Sequence, residues 1–385
     1  MVDVRHGRAY VLGDRDLLAS IHRAGVPVTA VCRRTAPARF SRYTSRWLED
    51  PRPEEDALSA TLREDAGRVT GPAVLFYEQD DDLLFVSRRR EELSGALRFV
   101  IAEAHLVERL MDKGAFQALA EELDLPVPVG RRVDLTGSSP DLRGISYPVL
   151  VKPLRREQAW ERVSATKAVL ASGPEELAEL GKRLAPGHAG VLVQQPVAGP
   201  ETRIESYHVY VDAAGEIVAE FTGRKIRTYP SELGHSTALV TTDCADVVSL
   251  GRDIVRKLGL RGVAKLDFKR DPEDRLWLLE VNPRFTLWHH VAAAAGLNIP
   301  AIVWADLTGG ARPPVARARA GVRWCRVERD VLAARQEGMG LAAWLRWLSH
   351  CETRAGLDPL DPVPVLSKMV MPAYERARRL VHRGR

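Results

Sequence analysis

A chain of 385 residues exceeds what one hydrophobic core organises, so two or three packed lobes are expected, with ligands held between them. Hydrophobic residues at 45% and charged residues at 28% are the proportions of an ordered globular protein and exclude long disordered stretches. The net charge of +5 is spread as dispersed arginine, without an aromatic-interleaved basic strip or a groove-reading motif, so nucleic acid is not an expected partner.

The N-terminus, MVDVRHGRAYVLGDRD, lacks an apolar core of signal-peptide length, and no apolar run approaches the roughly 20 residues that cross a bilayer. A cytoplasmic location without a membrane partner is therefore expected. Cys32, Cys244, Cys325 and Cys351 have no C-x-x-C spacing and are expected as core fillers.

In the first hundred residues, short apolar strands at 9–13, 28–32 and 74–77 alternate with helical stretches such as 17–24. That alternation predicts a small doubly wound α/β lobe around a parallel sheet. Gly13 ends the first strand, but the G-x-G-x-x-G turn is missing, so no nicotinamide site is expected. Residues 97–123 carry apolar positions at helical spacing until the prolines of DLPVPVG stop them, with a hinge expected near 105–125. Strands follow at 147–152 and 190–194, flanking a helix over 173–184 with Pro174 in its first turn. The run ETRIESYHVYVDAAGEIVAEFTGRKIRTY reads as a β-hairpin turning at 213–215. A helix over 245–258 leads into GVAKLDFKRD and RLWLLEVNPR, two strands joined by a turn at 271–274, which indicates an antiparallel sheet. Beyond residue 311 the chain is rich in Arg, Trp and Pro, with helices predicted at 340–350 and 374–382, the latter a solvated basic face.

The strongest chemical signal lies in the pair of strands around Asp267 and LLEVNPRF. Glu280 and Asn282 are two apart and face the same side of a strand, and Asp267 on the preceding strand is placed to complete the set. Carboxylates and an amide are the hard oxygen ligands that Mg²⁺ takes while bridging nucleotide phosphates. Arg284, again two residues on, is suited to grip a phosphoryl group or a carboxylate through a bidentate fork. The plain alternative pairs Glu280 with Arg284 on a solvated face and lets Asn282 and Pro283 end the strand. His289 and His290, beside Trp288, point in different directions on a helix; no zinc site is expected, and they are read as opening a helix at 289–295 beneath the site.

With these segments in this order, residues 8–310 resemble the ATP-grasp superfamily, and within it the carboxylate-amine ligases related to D-aspartate ligase and the carbamoyl-phosphate synthase large chain. The resemblance implies a mixed α/β and α+β architecture: an N-terminal Rossmann-like lobe (1–105), a first ATP-grasp subdomain with a lid loop (106–195), and a second with the metal site (196–310). The nucleotide cleft lies between the two α+β subdomains, and a C-terminal helical extension (311–385) stands outside the resemblance.

Residue by residue, the resemblance assigns Lys113 and Lys152 to the nucleotide, and the hinge residues Gln194, Gln195 and Val197 to the adenine edge. Gln195 stands where glutamate is frequent, which leaves the ribose to Glu201 or Glu205. The loop LRREQAWERVSATK replaces a glycine-rich flap as the lid, with Arg155, Arg156 and Lys167 either as ligand contacts or as a solvated cluster. Lys225 is implied at the γ-phosphate and Arg227 at the carboxyl phosphate, with strand alternation placing both on one face. His235 and Ser236 follow in a loop bordering the substrate. Asp267, Glu280 and Asn282 hold Mg²⁺ (or Mn²⁺), while Arg284, Lys225 and Arg227 act on the transferring group. The implied reaction is amide formation through an acyl phosphate, with release of ADP and phosphate, from small-molecule carboxylate and amine substrates such as amino acids, in a homodimer. A small-molecule kinase and a non-catalytic nucleotide-binding module are the alternatives.

Overall fold

Buried apolar runs such as RAYVL and AVLFY stack into a parallel sheet because crossover helices cover both of its faces. In the computed structural model, which describes residues 7–135, 142–155, 158–164, 166–184, 190–314, 317–356, 358 and 361–364, this first sheet has four strands. They are β1 (Arg8–Leu12), β2 (Val28–Cys32), β3 (Arg46–Glu49) and β4 (Ala73–Tyr77), all parallel, in the order β3-β2-β1-β4. The order reverses between β1 and β4, which opens a crevice at their carboxyl ends.

The helical pattern over 97–123 resolves into two helices, Ala104–Met111 and Lys113–Glu122. The break falls at Asp112, whose side chain accepts the N–H of Ala115 and so starts a new helix. A second sheet follows, with β5 (Gly130–Val133), β6 (Val149–Pro153), β7 (Val169–Ala171) and β8 (Val191–Gln194) in the antiparallel order β5-β8-β6-β7. Helix Pro174–Leu184 covers it, burying Leu177, Leu180 and Leu184 against Val149, Val151 and Val193.

The third sheet holds β9 (Ile204–Val211), β10 (Ile217–Tyr229), β11 (His235–Thr242), β12 (Gly262–Arg270), β13 (Leu276–Asn282), β14 (Arg323–Arg326) and β15 (Thr353–Ala355). Its order is β13-β12-β9-β10-β11-β14-β15, antiparallel except for the β14–β15 pair. The expected hairpins β9–β10 and β12–β13 are present. The segment expected as a loop at His235 and Ser236 instead opens a strand, β11. Residues beyond 310 form helices Val327–Gln336 and Leu341–Ser349, but they also add two strands to the sheet, so this part of the chain is woven into the fold. The basic stretch 374–382 and Arg156 lie outside the described residues.

Cys325 and Cys351 are buried as core fillers, whereas Cys32 and Cys244 are partly exposed, and all four are free thiols. Among the described residues no single helix is long and apolar enough to cross a membrane.

Candidate active site

A cleft of about 910 Å³ is walled by the second and third sheets and by the segments that follow β1 and β4 of the first. On the floor, Asp267 of β12 stands directly opposite Glu280 of β13, and Lys265 opposite Asn282. The side chains converge as the two-residue spacing requires. Asn282 Nδ2 donates to Glu280 Oε1 at 3.2 Å, and Lys265 Nζ donates to Asp267 Oδ2 at 2.7 Å while lying 3.9 Å from Glu280. Lys225 of β10 brings a second ammonium to 4.0 Å from Asp267, whose other oxygen accepts the Ser206 hydroxyl. Glu280 does not pair with Arg284, which is tied instead to Asp80 and to the Glu78 carbonyl, at 2.6 and 2.7 Å.

Burial would raise the Glu280 carboxyl, but Lys167, Lys265 and Lys225 hold it well below the usual carboxylate range. With 37% of its side chain open to the cleft, water tempers that pull, yet Glu280 stays ionised at neutral pH. Among the described residues no three His, Cys, Asp or Glu side chains converge, so a closed protein cage is absent and the donor set is two carboxylates and an amide. That set fits a hard cation that keeps most of its sites for phosphate oxygens and water, as Mg²⁺ does.

At the other end of the cleft, Lys152 Nζ donates to Gln194 Oε1 at 2.7 Å, and Gln194 Nε2 to Gln117 Oε1 at 3.1 Å. Gln117 also donates to the Pro128 carbonyl and to Glu121. A Cβ at Gly130 would sit 2.7 Å from the Gln117 carboxamide, so glycine is required for this chain of amides to lie across β5. Burial lowers the Lys152 ammonium to about 8. Lys113, Gln195, Val197 and Glu201 also face the cleft, the Gln195 side chain accepting from Ser146. Lys167, His235 and Ser236 line the opposite rim.

Glu205, Arg227 and Arg155 do not line the cleft, Arg155 pairing with Glu108 at 3.0 Å instead. Glu205 is buried on the other face of β9, 3.8 Å from Arg270, because its neighbour Ser206 takes the cleft side and alternation turns Glu205 away. Arg227 does not share a face with Lys225. The β10–β11 register slips there, Lys225 opposing Leu239 and Arg227 opposing Ala238, and this bulge turns the guanidinium into the protein, where it pairs with Asp330. His289 and His290 are likewise buried beneath the site, His290 against Asp16 at 3.1 Å.

The crevice at the ends of β1 and β4 adds cleft residues that the motifs did not single out: Asp14, Asp16, Glu78 and Asp80, with Arg326 and Arg329 arriving from the C-terminal segment. Glu78 is buried, and that burial together with nearby Asp14 raises its carboxyl, which accepts the Asp14 N–H at 2.6 Å. The strand-end rule for doubly wound sheets points to this crevice, and the period of β12 points to Lys265, two residues before Asp267. No sequence signal marks Arg326 or Arg329.

Residues 207–329 match a family described as an ATP-grasp in the biosynthetic pathway with Ter operon, so the match reaches past residue 310 and takes in β14. The D-alanine--D-alanine ligase of Halorhodospira halophila (strain DSM 244 / SL1) is 32% identical over 212 residues, 50% of this chain and 64% of that protein. The D-aspartate ligase of Enterococcus faecium (strain Aus0004) is 24% identical over 232 residues, 57% of this chain and 55% of that protein. The chain thus spans between half and two thirds of the length of these relatives.

Among solved structures, the L-amino acid ligase from Bacillus licheniformis aligns with a TM-score of 0.60 at 17% identity, over 80% of this chain and 75% of that one. The biotin carboxylase domain of the Hydrogenobacter thermophilus 2-oxoglutarate carboxylase, solved with MgADP and bicarbonate, gives 0.63 at 14%, over 82% and 73%. At these identities the likeness is one of fold. The chain thus has the ATP-grasp fold, and its residues 207–329 match an ATP-grasp family model.

Proposed function

We propose that the chain is an ATP-dependent carboxylate-amine ligase that forms an amide through an acyl phosphate. The observation that carries this reading is the floor of the cleft, where Asp267, Glu280 and Asn282 face a bank of lysines. Asp267, Glu280 and Asn282 would hold Mg²⁺, which supplies charge neutralisation between the phosphates. The hinge residues Gln194, Gln195 and Val197 border the adenine edge, Lys113 and Lys152 meet the inner phosphates, and Glu201 is left as the ribose contact. The substrate carboxylate oxygen bonds to the γ-phosphorus as the bond to ADP breaks, with Lys225 and Arg284 stabilising charge on the transferring group. The neutral amine then bonds to the acyl carbon, phosphate departs with the bonding electrons, and the proton lost from nitrogen leaves with that phosphate. No nucleophilic side chain is needed, since positioning and electrostatics do the chemistry.

The amine substrate belongs in the crevice, where Asp14 and Asp80 suit an ammonium and Arg326 and Arg329 a carboxylate, the two ends of an amino acid. The relatives named D-alanine--D-alanine ligase, D-aspartate ligase and L-amino acid ligase support the same substrate class. Coupled assays for ADP and phosphate across a panel of amino acids test this reading. Phosphate release only when a carboxylate and an amine are both present supports a ligase; a stable phosphorylated product points to the kinase alternative; no turnover with any mixture points to a binding module.

A further inference from the structure

Arg227 and Lys225 lie two residues apart on β10 and go to opposite environments. Lys225 reaches the cleft floor, whereas Arg227 is 3% exposed and enters a hub built by the C-terminal helices. At its centre Asp330, fully buried, uses both carboxylate oxygens: Oδ1 accepts from Arg227 Nε at 2.9 Å and the Thr237 hydroxyl at 2.8 Å, and Oδ2 from Arg227 Nη2 at 2.6 Å and Trp344 Nε1 at 2.9 Å. The guanidinium also lies over the Trp347 ring, 4.0 Å from its centroid. One carboxylate thereby ties β10 and β11 to helices Val327–Gln336 and Leu341–Ser349.

We propose that Asp330 is a positioning residue for Lys225, acting through Arg227: the buried pair fixes the bulged register of β10 that aims Lys225 at the phosphate end of the cleft. The inference rests on the reading of Lys225 as the γ-phosphate contact. Without the bulge, alternation would put residues 225 and 227 on one face, sending Arg227 towards the cleft or Lys225 into the core. Turning Arg227 to the cleft leaves Asp330 buried without its cation, and turning Lys225 into the core buries an ammonium away from Asp267, so the two penalties together select the observed register. Fixing register is the role best attested for buried ion pairs. A bulge next to a site re-aims a side chain, and here the C-terminal segment sets the aim.

Calorimetric titration of the folded full chain with a non-hydrolysable ATP analogue and, separately, ADP, each with Mg²⁺, tests the proposal. Lys225→Ala is expected to reduce the preference for the analogue over ADP by about tenfold or more, the worth of a charge-assisted contact. Asp330→Asn is expected to lose most of the same preference with ADP affinity retained, and the double variant to match Lys225→Ala alone. Preserved preference in Asp330→Asn, equal weakening of both nucleotides, or a loss that multiplies with that of Lys225→Ala overturns the positioning role. If Lys225→Ala itself keeps the wild-type preference, the γ-phosphate reading falls and takes the proposal with it, an outcome distinct from failure of Asp330→Asn alone. Should Asp330→Asn not fold, Trp347→Leu removes only the stacking support and is expected to give a smaller loss, likewise absent on the Lys225→Ala background; an additive loss overturns the proposal.

Discussion

The β12–β13 hairpin and the middle of β10 carry the same sequence pattern, polar residues two apart on a strand, and only the hairpin obeys it in space. Glu280 and Asn282 stay on one face and touch because the ladder opposite them runs regularly from Asp267 to Lys265; the slip in that pair falls beyond it, at Leu279. Lys225 and Arg227 separate because the slip falls between them. Alternation along a strand is therefore a safe guide to a site only where the partner strand keeps register, and a register slip is set by tertiary anchors such as Asp330.

The largest effect is expected on the regular side of that comparison. Glu280→Ala removes the carboxylate proposed to hold Mg²⁺ from a position partly open to solvent, so turnover is expected to be lost while the circular dichroism spectrum and Tm stay near wild type. Near-wild-type activity would break the metal assignment. On the bulged side, two substitutions two residues apart should differ in kind. Lys225→Ala lowers kcat by about 100- to 1,000-fold with little change in stability. Arg227→Ala strands the buried Asp330 carboxylate and lowers unfolding free energy by about 3–5 kcal/mol, read by denaturant titration. Equal stability of the two variants would contradict the division of roles.

A pH titration sharpens the nucleotide end. Because burial lowers the Lys152 ammonium to about 8, the empty site loses this cation as pH rises through that value. Phosphate binding favours the protonated form, so nucleotide affinity is flat below about pH 8 and falls above it, by at most about tenfold per pH unit for one proton. Lys152→Arg keeps its charge and should flatten the profile. An unchanged slope in that variant would mean that another group titrates. The smallest effect is expected at Glu205, which faces away from the cleft: Glu205→Gln should leave the Kd for ADP unchanged, and a weakened Kd would return it to the ribose.

Much of the fold was legible in the sequence because it is local. The apolar runs of β1, β2 and β4, the turn at Asp271 and the spacing of Asp267, Glu280 and Asn282 each follow from patterns within a few residues. The convergence of side chains on the cleft floor was legible for the same reason. The crevice was not, because Asp14, Glu78 and Arg326 meet only after β1, β4 and β14 are assembled, and nothing near Arg326 announces a strand. The break at Asp112 illustrates the same limit on a smaller scale, since one capping side chain divides a continuous apolar pattern into two helices.

The central claim, activation of a carboxylate as an acyl phosphate on the floor of this cleft, is tested most directly by following a heavy-oxygen label. With an amino acid labelled in its carboxylate as the donor and an unlabelled amine as the acceptor, the account predicts that each phosphate released carries one labelled oxygen. Amide formation accompanied by unlabelled phosphate would contradict it.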